Sequence, residues 1–197
     1  LLKLAALLHD VGKPATCSVE PDGRVRFFSH EHLSAQITVE VLTRLRFSAQ
    51  EVRLVSATVA QHMRPGFLIK EGPVSRRAIY HFFRDSGDAS VDALMLSLAD
   101  HLATRGAMLL LDHWRTHLEF VNLLLDNYYH RPAEAVSPPP LVTGRDVMKL
   151  LSISSGPQVG QLLEAVREAQ VEGLVRTREE ALQFLREQGL SVDPKST

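Results

Sequence analysis

Apolar residues recur along this chain at helical spacing, interrupted by short clusters of glycine and proline. Leu1, Leu4, Ala5 and Leu8 lie on one helix face, and the run stops at Val11-Gly12-Lys13-Pro14, where glycine suits a helix C-terminus and proline cannot continue it. His9 and Asp10 therefore fall in the closing turn. Residues 15–28 instead alternate β-branched or aromatic with polar residues about Pro21-Asp22-Gly23, the pattern of a two-stranded hairpin. Helical periodicity then predicts helices near 30–45, 48–63, 75–85, 89–105 and 107–130, the second opened by the capping box Ser48-Ala49-Gln50-Glu51. Arg64-Pro65-Gly66, Gly72-Pro73, Ser86-Gly87 and Gly106 read as the breakers between them.

Residues 131–140, Arg-Pro-Ala-Glu-Ala-Val-Ser-Pro-Pro-Pro, read as a stiff polyproline-like connector and place a domain boundary there. Three further helices are expected beyond it, starting at Thr143 with Asp146, at Gly156-Pro157, and at the capping box Thr177-Arg178-Glu179-Glu180. Leu162, Leu163, Val166 and Ala169 form an apolar stripe that needs a partner surface. The expected architecture is all-α: a helical bundle over 1–130 with one small β-hairpin, a Pro-rich linker over 131–140, and a short helical tail over 141–197.

Composition narrows the function classes. One cysteine, Cys17, excludes an intrachain disulfide and favours a reducing, cytoplasmic setting. No apolar run reaches membrane-spanning length, since Leu109-Leu110-Leu111 is followed at once by Asp112-His113. The net charge of −1 conceals an asymmetry: residues 1–86 carry 12 Lys and Arg against 8 Asp and Glu, and residues 87–197 carry 10 against 15. That balance permits RNA without the basic stripe of a protein that binds nucleic acid by charge alone. The chain opens on Leu1 inside an apolar run with no capping residue, which leads us to expect sequence upstream.

An imidazole and a carboxylate at the closed end of an apolar helix admit two readings: a buried histidine paired with an aspartate, or part of a ligand site. Other helices offer further donors, namely His30 and His32 at a helix start, His62 at a helix end, and Asp100 beside His101. Nitrogen and oxygen donors drawn from several helices suit a divalent metal, which activates water and polarises a phosphoryl oxygen in phosphoester hydrolysis. Lys13 lies where it could meet a phosphate. Arg64, Arg76 and Arg77 could contact an RNA backbone or form a solvated helix face. His32, His81, His113, His117 and His130 read as solvated or structural, and the aromatics Trp114, Phe120, Tyr128 and Tyr129 as core.

The motifs together resemble a known family. His9-Asp10-Val11-Gly12-Lys13-Pro14, then Phe27-Phe28-Ser29-His30-Glu31, Gln61-His62-Met63, and Ala99-Asp100 with Arg105-Gly106 resemble the HD domain of bacterial tRNA nucleotidyltransferases and poly(A) polymerases. Leu141-Val142-Thr143-Gly144-Arg145-Asp146-Val147-Met148 and Gly156-Pro157-Gln158-Val159-Gly160 resemble the segment that follows it. The resemblance implies an HD-like helical fold and a divalent metal (Mg, Mn, Ni or Fe) at His9, Asp10, His30, His62 and Asp100. It implies catalytic roles for His9, Asp10 and Lys13, and a nucleotide or phosphoester substrate. RNA, tRNA above all, is the implied partner, with Arg64, Arg76, Arg77 and Arg145 as backbone contacts. It further implies a first HD histidine and a catalytic nucleotidyltransferase head N-terminal to Leu1. Two other readings remain: a stand-alone HD phosphohydrolase acting on nucleotides or phosphodiesters, and a non-catalytic RNA-binding arm with a vestigial site.

Overall fold

A computed structural model describes residues 1–70 and 73–191. Its elements are α1 (Leu2–Leu8), α2 (Lys13–Thr16), β1 (Cys17–Val19), β2 (Val25–Phe27), α3 (His30–Arg44), α4 (Ala49–Gln61), α5 (Arg64–Lys70), α6 (Arg76–Ser86), α7 (Ser90–Arg105), α8 (Leu111–His130), α9 (Gly144–Leu151), α10 (Pro157–Val171) and α11 (Arg178–Ser191). The fold is all-α with one antiparallel hairpin. The hairpin pairs Cys17 with Phe27, Ser18 with Arg26 and Val19 with Val25, and Gly23 takes the left-handed turn position at φ 83°.

The chain divides into two compact units, residues 1–74 with 82–126, and residues 75–81 with 127–197. The first is centred on α4, whose Val52, Val55 and Val59 share one face and are buried with Ala5 of α1, Leu42 of α3 and Leu96 of α7. The start of α4 is fixed by its capping box, Glu51 N donating to Ser48 Oγ at 3.3 Å and Ser48 N to Glu51 Oε2 at 2.8 Å. Because α1, α3 and α7 all bury residues against α4, the end of α1, the start of α3, the end of α4 and the second half of α7 can carry His9 and Asp10, His30, His62 and Asp100 toward one another.

The second unit buries Val147 of α9, Leu162, Val166 and Ala169 of α10, and Ala181 and Leu185 of α11 in one cluster. The apolar stripe of α10 thus finds its partner in α9 and α11. Asp146 both caps α9, accepting from Thr143 N at 2.8 Å, and receives a forked pair from Arg178 of α11 at 2.6 and 3.1 Å.

Four segments differ from the sequence expectation. Lys13–Thr16, read as a helix stop running into the hairpin, forms the short helix α2 with Pro14 in its first turn, and β1 starts only at Cys17. Arg64-Pro65-Gly66, read as a breaker, opens helix α5: proline in the first turn of a helix removes an N–H that has no intrahelical partner in any case. The 131–140 segment is not wholly extended, for Pro132–Val136 forms one π-helical turn in which Ser137 N donates to Pro132 O at 2.8 Å and Ala135 is buried. Helix α8 begins at Leu111 rather than 107, because Gly106 turns the chain at φ 47° and Gly106–Met108 forms a 3-10 turn first. The Gly72 part of the Gly72-Pro73 breaker lies outside the described residues.

Candidate metal centre

Helix α1 ends at Leu8 and His9 keeps helical dihedrals as its C-cap, so its side chain projects from the closing turn together with that of Asp10. The loop behind them is pressed against α3. Gly12 N donates to Ser34 Oγ at 2.9 Å, and a Cβ on Gly12 would stand 2.8 Å from both His30 O and Ser34 N. Only glycine allows this approach, and the approach brings His30 to Asp10. Ser29, left-handed at φ 58°, turns the chain into α3 immediately before His30. His62 enters from the C-cap of α4 and Asp100 from α7.

The three histidines are held by one device. Nδ1 of His9 lies 2.8 Å from Ala6 O, Nδ1 of His30 lies 2.8 Å from Phe27 O, and Nδ1 of His62 lies 2.7 Å from Val59 O. A carbonyl only accepts, so each Nδ1 carries a proton, each Nε2 is turned inward, and a ring that is neutral presents a bare lone pair there. All three Nε2 atoms are buried and make no hydrogen bond, as is Asp10 Oδ1. His30 Nε2 stands 3.2 Å from Asp10 Oδ1, and His9 Nε2 stands 3.2 Å from Asp10 Oδ2 and 3.6 Å from Asp100 Oδ1. The His62 ring meets those of His9 and His30 edge-on, with centroids 5.0 and 5.5 Å away.

Charge follows from these contacts. Asp10 and then Asp100 hold the His9 imidazole up to about 10 from its ordinary 6.5, against the opposing effect of burial. Burial opposes ionisation of Asp10, yet His9 and Lys13 outweigh it and hold the carboxyl far below the usual range. Asp100 is lowered by its contact with His9. His62 is pushed down by burial and kept neutral beside the other two rings.

These donors fit a divalent cation. Ligand atoms of His9, Asp10 and His62 lie within 4.8 Å of one another, and the spacings of 3.2 and 3.6 Å suit neighbouring ligands with bonds of roughly 2.0–2.2 Å. Each imidazole already has the outer hydrogen bond, Nδ1–H to a carbonyl, that metal-bound histidines use to fix their tautomer. Carboxylates that hold a proton on His9 would equally hold a cation.

A family model describing the HD domain matches residues 1–105, more than half of the chain. The chain belongs to the HD domain family. HD domains bind divalent metals, and the cluster at His9, Asp10 and His62 is placed to do so. The similarity to known proteins runs beyond the HD domain. The chain is 39% identical over 184 residues to the CC-adding tRNA nucleotidyltransferase of Thermus thermophilus, covering 93% of this chain and 39% of that protein. It is 36% identical over 186 residues to the A-adding tRNA nucleotidyltransferase of Deinococcus radiodurans, covering 94% of this chain and 41% of that protein. A third relative, the CC-adding tRNA nucleotidyltransferase of Synechocystis, is 29% identical over 150 residues, covering 76% of this chain and 33% of that protein. The chain thus spans about two fifths of the length of the first two relatives.

Around this HD centre the remaining predicted residues are placed as follows. Lys13 Nζ contacts Asp10 Oδ2 at 2.5 Å and lies 5.7 Å from the centroid of the Phe27 ring, so it neutralises Asp10 directly. Arg64 pairs with Asp85 at 2.8 Å and Arg77 with Glu168 at 2.6 Å. Arg76 and Arg145 are exposed. His32 is exposed, whereas His81 pairs with Glu168 at 2.8 Å.

Sequence reasoning passed over a second histidine group. His117 is buried, with Nδ1 at 3.1 Å from His101 Nδ1 and Nε2 at 3.2 Å from Ser97 Oγ. The available signal was the four-residue spacing of His113 and His117, which puts both on one face of α8, combined with His101 next to Asp100.

Proposed function

We propose that this HD centre is a divalent-metal phosphoesterase site within the RNA-supporting helical portion of a tRNA nucleotidyltransferase-type protein. The observation that carries the reading is the convergence of three Nε2 atoms, each oriented by an Nδ1–carbonyl contact, with the carboxylates of Asp10 and Asp100. His9, Asp10, His30, His62 and Asp100 would hold the ion. The chemistry it supplies is Lewis-acid activation of water and of a phosphoryl oxygen. Asp10 and Asp100 orient His9, and Lys13 at the mouth of the loop contributes positive charge for a phosphate when it releases Asp10.

Similarity over more than nine tenths of the chain, well past residue 105, favours the nucleotidyltransferase-type setting over a stand-alone phosphohydrolase. In that setting RNA is the partner, residues 141–197 form a tail that supports it, and the cytoplasm is its compartment. Arg76 and Arg145 are the exposed cations suited to its backbone, with Arg64 and Arg77 as weaker contacts because each already has an acid partner.

A second reading has its own support. Lys13 and protonated His9 balance Asp10 and Asp100 without any cation, as a purely structural cluster in a binding arm would. Hydrolysis separates the two. With Mn²⁺ or Ni²⁺ added, the phosphoesterase reading expects cleavage of bis-p-nitrophenyl phosphate that EDTA abolishes and Asp100→Ala removes. No metal-dependent turnover would leave the binding arm. The wider setting is tested by supplying the full-length protein with tRNA lacking its 3' end and with ATP and CTP; failure to add any nucleotide would contradict it.

A further inference from the structure

A cavity of about 290 Å³ lies wholly within the second unit, and none of the HD residues lines it. That volume stands at the lower edge of small-ligand pockets. Its walls come from the π-helical turn and the residues after it, from the end of α10, and from the start of α6. The Pro-rich wall is tied in place: Pro138 is buried, and Gln170 Nε2 of α10 donates to Pro139 O at 3.0 Å. Val171 adds apolar surface, and the charge comes from Arg76, Arg176 and Glu134. Arg176 is oriented by its own loop. Gly173, left-handed at φ 79°, turns the chain after α10, and Arg176 Nε donates to Gly173 O at 3.2 Å. That bond leaves the two terminal guanidinium nitrogens without a carboxylate among the described residues, since Glu180 accepts from the backbone N–H groups of Arg176 and Thr177 instead, at 2.6 and 3.2 Å. Among the same residues Arg76 pairs with no acid and Glu134 with no base. Two unpaired guanidinium groups and one unpaired carboxylate thus line a single cavity, with one positive charge in excess.

We propose that this pocket binds inorganic phosphate as hydrogen phosphate, with Arg76 and Arg176 donating to its oxygens and Glu134 accepting from its P–OH. A planar guanidinium matches phosphate oxygens in a forked, charge-assisted pair. A carboxylate only accepts, so it is compatible with a bound anion that brings a proton to the contact. Hydrogen phosphate brings one at neutral pH. Sulfate and the diester linkage of an RNA backbone bring none, and each would set a bare oxygen against Glu134. The carboxylate therefore selects free phosphate over both, because a ligand lacking the donor leaves the acceptor unsatisfied. Arg76 also faces solvent as a backbone contact for RNA, whereas Arg176 and Glu134 serve the pocket alone. The site stands independently of the reading given to the HD centre.

Calorimetric titration of the full chain tests the proposal, after EDTA treatment so that no metal at the HD centre takes up phosphate. Sodium phosphate, sodium sulfate and dimethyl phosphate are compared at neutral pH and one ionic strength. One saturable phosphate site is expected, with sulfate and dimethyl phosphate each roughly 10-fold weaker. Arg176→Gln should weaken phosphate roughly 10-fold as well, through loss of a charge-assisted contact. Glu134→Gln, whose amide can donate to sulfate, should keep phosphate bound and narrow the preference; circular dichroism confirms that both variants are folded. No saturable phosphate binding, phosphate affinity unchanged in Arg176→Gln, or a preference unchanged in Glu134→Gln would overturn the proposal. Dimethyl phosphate or sulfate bound as tightly as phosphate would overturn it too, the former by giving the pocket to the RNA backbone.

Discussion

His30 Nε2 stands 3.2 Å from Asp10 Oδ1, and neither atom makes a hydrogen bond. Twenty residues separate them in sequence, and both are buried polar atoms that would normally be satisfied. The imidazole cannot donate from Nε2 in its neutral form because Phe27 O holds the proton on Nδ1. With the ring neutral, two acceptors face each other, and a cation shared between them would satisfy both.

Gly12 is the residue on which that juxtaposition depends. Gly12→Ala would drive a methyl against the backbone of α3 at His30 O and Ser34 N, neither of which can rotate away. We expect a loss of roughly 1–3 kcal/mol in stability, as for other overpacked sites, together with weaker metal uptake because His30 moves from Asp10. Urea unfolding measures the first and dialysis against Mn²⁺ the second. An alanine variant of unchanged midpoint and metal content would contradict the close approach.

The His117 pair gives the first unit an acid-sensitive element. Burial, and then the neighbouring His101, hold the His117 imidazole down to about 4 from its ordinary 6.5. Between those values the unfolded chain binds a proton that the folded chain does not. The contribution is therefore complete above pH 6.5 and is lost as pH falls toward 4, by roughly 1–3 kcal/mol. His117→Gln should flatten the fall in urea midpoint between pH 7 and pH 5 relative to wild type. Parallel curves for the two proteins would show that His117 titrates normally.

Binding of tRNA should weaken as salt rises, since neutralising phosphates releases counterions. Arg76→Ala and Arg145→Ala should each lower affinity and reduce the slope of log affinity against log salt by about 1. Arg64→Ala and Arg77→Ala should do less, because these side chains already pair with Asp85 and Glu168. Affinity that stays flat with salt, or equal losses at all four positions, would count against this assignment of contacts.

Much of the fold was legible because it rests on local rules. Capping residues at Ser48, Thr143 and Thr177, glycine and proline punctuation, and the apolar spacing of α4 and α10 locate most helices within a few residues. Rules applied too generally failed locally: Pro65 and Pro132 sit in the first turns of helical segments, where proline costs little. The HD residues were legible as a motif, but their convergence depends on how α1, α3 and α7 pack on α4, which periodicity does not specify. The Ser97–His117–His101 chain was hidden for the same reason. It joins α7 to α8, and no spacing within either helix shows that Nδ1 faces Nδ1.

The central claim, that the HD centre holds a divalent cation, is tested most directly by metal stoichiometry. The wild-type chain and Asp10→Ala are dialysed to equilibrium against Mn²⁺ or Ni²⁺, and bound metal is measured by mass spectrometry after confirming that both proteins are folded. The wild type is predicted to retain about one ion per chain and the variant close to none, because Asp10 offers one oxygen toward His9 and the other toward His30. A wild-type chain that retains no metal, or a variant that retains as much as the wild type, would contradict the account.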